Sequence, residues 1–256
     1  MWTTDVYEGA PTPVTAFFAA GQKVAAIMLA TRVCLEAMGP ATDAWRQIVI
    51  FAALASIILG AVAAYGQTNV KRLLAYSSIN NVGFALVGLA AGGQAGAQAV
   101  LVYSAVYVVM TLGAFLCIMR MRDADGRPVE SLASLSGLSQ TRPMLALALA
   151  MFMFSLAGIP PLFGFWPKLM VFNAAVGAGL QLLALAAAAL TVIGAYYYLK
   201  VVKIMYFDAP ADPFAPARSR IESALIAICA VIISPISYFV LIGPLSAVTA
   251  NAASVF

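Results

Sequence analysis

Seven stretches of this chain, residues 14–37, 47–65, 73–92, 99–121, 143–176, 180–206 and 221–248, are almost continuously apolar, with short polar or Gly/Pro-rich breaks between them. A bilayer core about 30 Å thick takes roughly 20 apolar residues per helix, so each stretch is able to cross one. Inside that core every backbone polar group must be satisfied by the protein, which leaves helices or a closed barrel. Barrel strands alternate in polarity over about ten residues, whereas these runs are unbroken and rich in Ala, Leu and Gly. The reading is an all-α, polytopic transmembrane bundle of about seven helices. Only 9% of the residues are charged, against about 25% in a soluble domain, which excludes a soluble class.

The basic residues orient the bundle. Lys71, Arg72, Arg120, Arg122, Arg127, Arg142, Lys200, Lys203, Arg218 and Arg220 fall on the side where the chain starts; Arg32 and Arg46 fall on the other. Basic loops stay in the cytoplasm, so the start of the chain is expected to be cytoplasmic and the C-terminus to face outward, into the periplasm in a Gram-negative host. These residues stand singly or in pairs beside membrane ends, which argues against nucleic acid despite a pI near 9.0. Asp5 and Glu8 occupy the place of a signal peptide's basic region, so insertion is expected to rely on the helices themselves.

The two remaining basic residues lie inside apolar runs. Lys23 is about nine residues into the first span, too deep to snorkel easily, and costs roughly 3 kcal/mol there. Lys168 follows a segment carrying Gly158, Pro160, Pro161, Gly164 and Pro167, which cannot all sit in one regular helix. The fifth span is therefore predicted to break at Gly158–Gly164, with Lys168 beside a polar, hydrated cavity. Interrupted helices at membrane depth commonly form ion sites. A lysine withdrawn from water gives up its proton more readily, so such residues can load and release protons. The plain alternatives are an interfacial anchor, or a fixed charge satisfied by carbonyls.

The ten acidic residues all lie in or beside loops, so a counter-charge for Lys23 or Lys168 is expected from outside this chain. Lys71 opens a polar stripe through Tyr76, Ser77, Ser78 and Asn80, a candidate proton path inward; equally, Lys71 and Arg72 read as ordinary cytoplasmic-side bases. Tyr196, Tyr197 and Tyr198 read as an interfacial aromatic belt. Cys34, Cys117 and Cys229 are far apart and read as packing, with no metal-ligand spacing. Histidine, the commonest shuttle, is absent, so lysine, hydroxyls and water would have to carry any protons.

Three segments in order carry a resemblance: MWTTDVYEGAPTPVT at 1–15, QTNVKRLLAYSSI at 67–79 and LAGIPPLFGF at 156–165. They closely resemble the subunit N family of antiporter-like membrane subunits in respiratory complex I, the NADH-quinone oxidoreductase. The likeness covers essentially the whole chain, although the middle motif is shared by all antiporter-like subunits.

That resemblance implies a second inverted repeat, family helices eight to fourteen, across residues 1–256. It matches Lys23 to the central lysine of helix eight, Lys168 to the lysine beside the break in helix twelve at the outlet end, and Lys71 to the lysine after helix nine. It also implies that the family's inlet pair, a helix-five glutamate and a helix-seven lysine, is missing, that Met1 is internal to a longer reading frame, and that autonomous pumping is in doubt. The implied function is proton translocation coupled to electron transfer from NADH to quinone. No redox centre or cofactor is expected in this chain; NADH, flavin, iron–sulfur clusters and quinone would belong to other subunits, and the partners would be other membrane subunits of the complex and the lipid bilayer. Two readings compete: a subunit of a multi-subunit cation/proton antiporter, and a scaffold whose lysines never titrate.

Overall fold

A computed structural model of the chain describes residues 2–216 and 219–256; Met1, Ala217 and Arg218, and with them the readings made for Met1 and Arg218, lie outside the described residues. A short helix α1 (Trp2–Gly9) precedes α2 (Thr12–Ala37), α3 (Gly39–Tyr65), α4 (Val70–Ala91) and α5 (Gly93–Met119). After a loop come α6 (Pro143–Ala157), α7 (Phe165–Gly177), α8 (Gln181–Phe207), α9 (Arg220–Ile233) and α10 (Pro235–Ala253). Six of these, α2, α3, α4, α5, α8 and α10, are each long and apolar enough to cross a membrane.

The seventh crossing is the interrupted one predicted from its glycines and prolines: α6 stops at Ala157 and α7 restarts at Phe165. Gly158 caps α6 in the left-handed region, at φ 83°, a conformation that Gly adopts without a Cβ clash. A Cβ on Gly164 would stand 1.9 Å from the Ser155 carbonyl oxygen, so only glycine lets the loop fold back on α6.

The last span differs from the expectation of one continuous helix over 221–248. It breaks at Ser234, whose backbone is extended, and Pro235 opens α10 at the first helical position, where its missing N–H costs nothing. Arg120 at the end of α5 holds Ser219 and Ser223 at the start of α9, while Gln98 near the start of α5 donates to the Ser246 carbonyl of α10 at 3.0 Å. The two pieces thus run antiparallel along α5 as a single crossing. The two interruptions also meet: the Phe163 N–H, in the α6–α7 loop, donates to the carbonyl of Ile233 at 3.1 Å. A backbone group freed by one break is satisfied by the other, as a lipid-embedded chain requires.

Helices α4 and α5 form the enclosed centre, and α3 lies against α4 with its outer side, including Phe51 and Val62, exposed. The α3–α4 approach is close: a Cβ on Gly60 would sit 2.6 Å from the Asn80 nitrogen. Small residues at such a crossing let backbones touch where no hydrophobic effect drives association. At the end of the bundle that carries most of the basic residues, the loop after α5 pairs with the α3–α4 turn, Val70 N–H donating to the Glu130 carbonyl and Leu132 N–H to that of Thr68, both at 2.8 Å.

Candidate functional site

Helix α4 organises the polar interior, because Ser77, Ser78, Asn80 and Asn81 are all buried among apolar neighbours. Lys23 follows directly on a π-helical turn of α2, Phe18–Gln22, a local widening that recurs at functional sites. Its ammonium donates to the Ser78 hydroxyl and faces the Tyr7 ring, with 4.9 Å to the centroid. Ser78 in turn shares a hydrogen bond of 2.6 Å with the Tyr107 hydroxyl of α5. Lys23 is half-buried, and these partners are neutral groups.

One turn deeper on α4, a second group forms. The Tyr103 hydroxyl donates to Asn81 Oδ1 at 2.8 Å, Asn81 Nδ2 donates to the Tyr198 hydroxyl at 3.0 Å, and Tyr198 shares 2.5 Å with Ser77 Oγ. Asn80 points the other way and donates to the Ile57 carbonyl of α3 at 2.9 Å. A small cavity of about 10 Å³, room for about one water, is lined by Lys23, Asn81, Tyr103, Ser104 and Tyr107, and so touches both groups.

These contacts correct the aromatic-belt reading. Tyr196 behaves as a belt residue, half exposed and stacked on Tyr65 at 4.8 Å. Tyr197 and Tyr198 are buried, and Tyr198 belongs to the interior polar group. Tyr103 and Tyr107 went unread in the sequence, although their four-residue spacing sets both hydroxyls on one face of α5.

Lys168 lies in the first turn of α7, 6% exposed. Its ammonium donates to the carbonyls of Leu156 and Ala157 at 3.0 and 2.9 Å, and stands 4.7 Å from the centre of the Phe84 ring. Those carbonyls are the ones that the end of α6 leaves without helical partners. Ser155 braces the turn, accepting from the Gly164 N–H at 3.1 Å and donating to Met110 Sδ at 3.0 Å. Among the described residues no hydrogen bond joins Lys168 to the Lys23 group.

Lys71 is turned away from the stripe that was predicted to continue it. Its ammonium donates to Glu130 Oε1 at 2.7 Å, the Glu8 carbonyl at 2.9 Å and the Ala10 carbonyl at 2.7 Å, at 1% exposure. Those three bonds use all of its donors, so Tyr76, Ser77 and Ser78 are not its partners. Asn69 caps α4 through Oδ1 and donates from Nδ2 to Glu130 and Glu8, while Arg72 pairs with Glu8 at 2.8 Å and Asp5 at 3.2 Å. Glu130 was read as a loop residue; the fold makes it the buried lysine's counter-charge.

Fold and site together define a class: an all-helical, polytopic membrane domain that holds lysines between its helices on hydroxyl, amide and carbonyl groups. The chain belongs to the NADH:quinone oxidoreductase/Mrp antiporter transmembrane family, which matches residues 1–194 and so includes all three lysines. Subunit N of NADH-quinone oxidoreductase from Rhizorhabdus wittichii is 64% identical over 255 residues, which cover 99% of this chain and 53% of that protein. A chain in respiratory complex I from Thermus thermophilus with bound aureothin superposes with a TM-score of 0.78 at 33% identity, over 91% of this chain and 50% of that one. The Mrp complex from Dietzia sp. DQ12-45-1b contains a chain with a TM-score of 0.82 at 23% identity, over 99% and 55%; at that identity the likeness shows the fold alone. This chain spans about half the length of the curated relatives it matches.

Proposed function

We propose that this chain takes part in proton translocation across the bacterial inner membrane within NADH-quinone oxidoreductase, in the part played by subunit N, driven by electron transfer from NADH to quinone elsewhere in the complex. In this reading residues 1–256 form the antiporter-like domain equivalent to the second inverted repeat. Its basic end faces the cytoplasm. NADH, flavin, iron–sulfur clusters and quinone are held by other subunits, and neighbouring membrane subunits complete the route.

The observation that carries the reading is the Lys23 ammonium delivered onto the Ser78 hydroxyl, which is itself bonded to Tyr107. A lysine that has a hydroxyl relay at membrane depth can pass a proton and be reloaded. Lys168, whose charge is met by carbonyl dipoles and a ring face, takes the outlet position. Lys71, paired with Glu130 at the basic end, is the third lysine of this reading.

The test is NADH-driven acidification of proteoliposomes containing the assembled complex with Lys23→Ala, measured beside NADH oxidation. Translocating Lys23 predicts a several-fold fall in protons moved per NADH. Unchanged pumping would sink the role and leave the scaffold reading. The family, which takes in Mrp antiporters as well as NADH:quinone oxidoreductases, leaves a second reading, a cation/proton antiporter; sodium-dependent exchange without NADH or quinone would support it, and the 64% identity to a subunit N weighs against it.

A further inference from the structure

We propose that the groove between α6 and α9 is a binding site for one anionic phospholipid, with its phosphate at Arg120 and Arg122 and an acyl chain laid along Met144, Met151, Ala227 and Val231.

The groove has a volume of about 480 Å³ and is almost wholly apolar along its length, within the roughly 300–1,000 Å³ typical of ligand sites. Its lining runs from Arg120 to Ser234, where α9 breaks. From Ser223 to Ser234 the helix rises about 16 Å, near half of a bilayer core of about 30 Å. That depth suits an acyl chain from one leaflet. A transmembrane helix of a neighbouring subunit needs a groove of the full thickness.

Charge selects among lipids. At the mouth a second pocket of about 220 Å³ shares Arg120 and adds Arg122, Gly126, Ala215 and Glu222. Arg142 stands behind it, donating to the carbonyls of Phe214 and Ala215 at 2.8 and 2.5 Å. Arg120 gives its Nη2 to the Ser219 carbonyl and the Ser223 hydroxyl and lies 3.5 Å from Glu222 through Nε, so it adds mainly its field, which Glu222 offsets only in part, and the open donors are those of Arg122. Arg122 spends one donor on the Gly126 carbonyl at 2.8 Å and keeps the rest of its fork for a phosphate. Basic pockets beside apolar grooves at a membrane's cytoplasmic face recognise anionic headgroups. The two methionines supply an adaptable wall for a flexible chain.

The test is lipid retention by the assembled complex. After delipidation and re-addition of phosphatidylglycerol or phosphatidylcholine with matched acyl chains, bound lipid is quantified by mass spectrometry on wild type, Arg122→Gln and Ala227→Trp. Both altered side chains are exposed, so the fold is preserved in each. The site predicts several-fold preferential retention of phosphatidylglycerol, lost in Arg122→Gln by removal of charge and in Ala227→Trp by filling of the groove. Equal retention of the two lipids, or a preference unchanged in both variants, would overturn it, the latter leaving the groove to a protein neighbour.

Discussion

The ammonium of Lys168 lies 2.9 Å from the carbonyl oxygen of Ala157, the last residue of α6, eleven residues back along the chain. The interruption of the helix and the burial of the charge are therefore one structure: the break frees the carbonyls, and the lysine that follows it uses them. Desolvating an ammonium without partners is prohibitive, and the Phe84 face adds about 2 kcal/mol or less of cation–π attraction.

Gly158→Ala should disrupt that arrangement twice. The new Cβ would stand 2.8 Å from Lys168 Cδ, on a backbone at φ 83°, where an L side chain costs about 1–2 kcal/mol. The expected result is a lower unfolding temperature of the assembled complex and reduced proton pumping. Wild-type values for both would show that Lys168 does not depend on the turn.

Lys168→Arg separates charge from proton transfer. Arginine keeps the cation but does not deprotonate in proteins. NADH-driven pumping should fall as far as in Lys168→Ala; normal pumping by the arginine variant would count against transfer at this position.

Ser78→Ala removes the hydroxyl that both Lys23 and Tyr107 use. Leaving buried polar partners unsatisfied costs about 1–3 kcal/mol, and the relay would be cut, so pumping should drop while Ser78→Thr restores part of it. Equal pumping in the alanine and threonine variants would remove Ser78 from the path.

Glu130→Gln leaves Lys71 buried without its counter-charge. Breaking a buried pair costs about 3–5 kcal/mol, and the 24% exposure of the Glu130 side chain puts the expected loss at the lower end. Combining it with Lys71→Met should recover stability, since the stranded charge is gone. Thermal unfolding of the two variants reads the difference, and an additive loss would contradict a direct pair.

Tyr198→Phe and Tyr196→Phe should behave oppositely. The first strips the hydroxyl that joins Ser77 to Asn81 and should destabilise by about 1–3 kcal/mol. The second alters a half-exposed ring and should leave stability unchanged within measurement error. Matching effects would return both residues to the aromatic belt.

Much of the fold was legible because hydropathy, Gly and Pro act locally. The apolar runs at 14–37 and 180–206 became α2 and α8, and Gly158 and Pro160 marked the interruption before Lys168. The break at Ser234–Pro235 was missed, since the run carries two prolines, Pro235 and Pro244, and only the structure shows that the helix stops at the first, where the Ile233 carbonyl meets Phe163, and continues through the second. That Lys23 falls inside an apolar run was readable; that Ser78 is its partner was not.

The sequence by itself determined that this chain lies in a membrane, where most of its helices run, which end is basic, and that two lysines fall inside apolar runs. Tertiary structure alone decided what those lysines touch. Ser78 is 55 residues from Lys23 and Glu130 is 59 residues from Lys71. Helices apolar all round, such as α5, carry no stripe to show which side faces a neighbour. The rotation of each helix about its axis, and hence every lysine's partner, is set only when small residues such as Gly60 bring backbones together and buried polar groups must find one another.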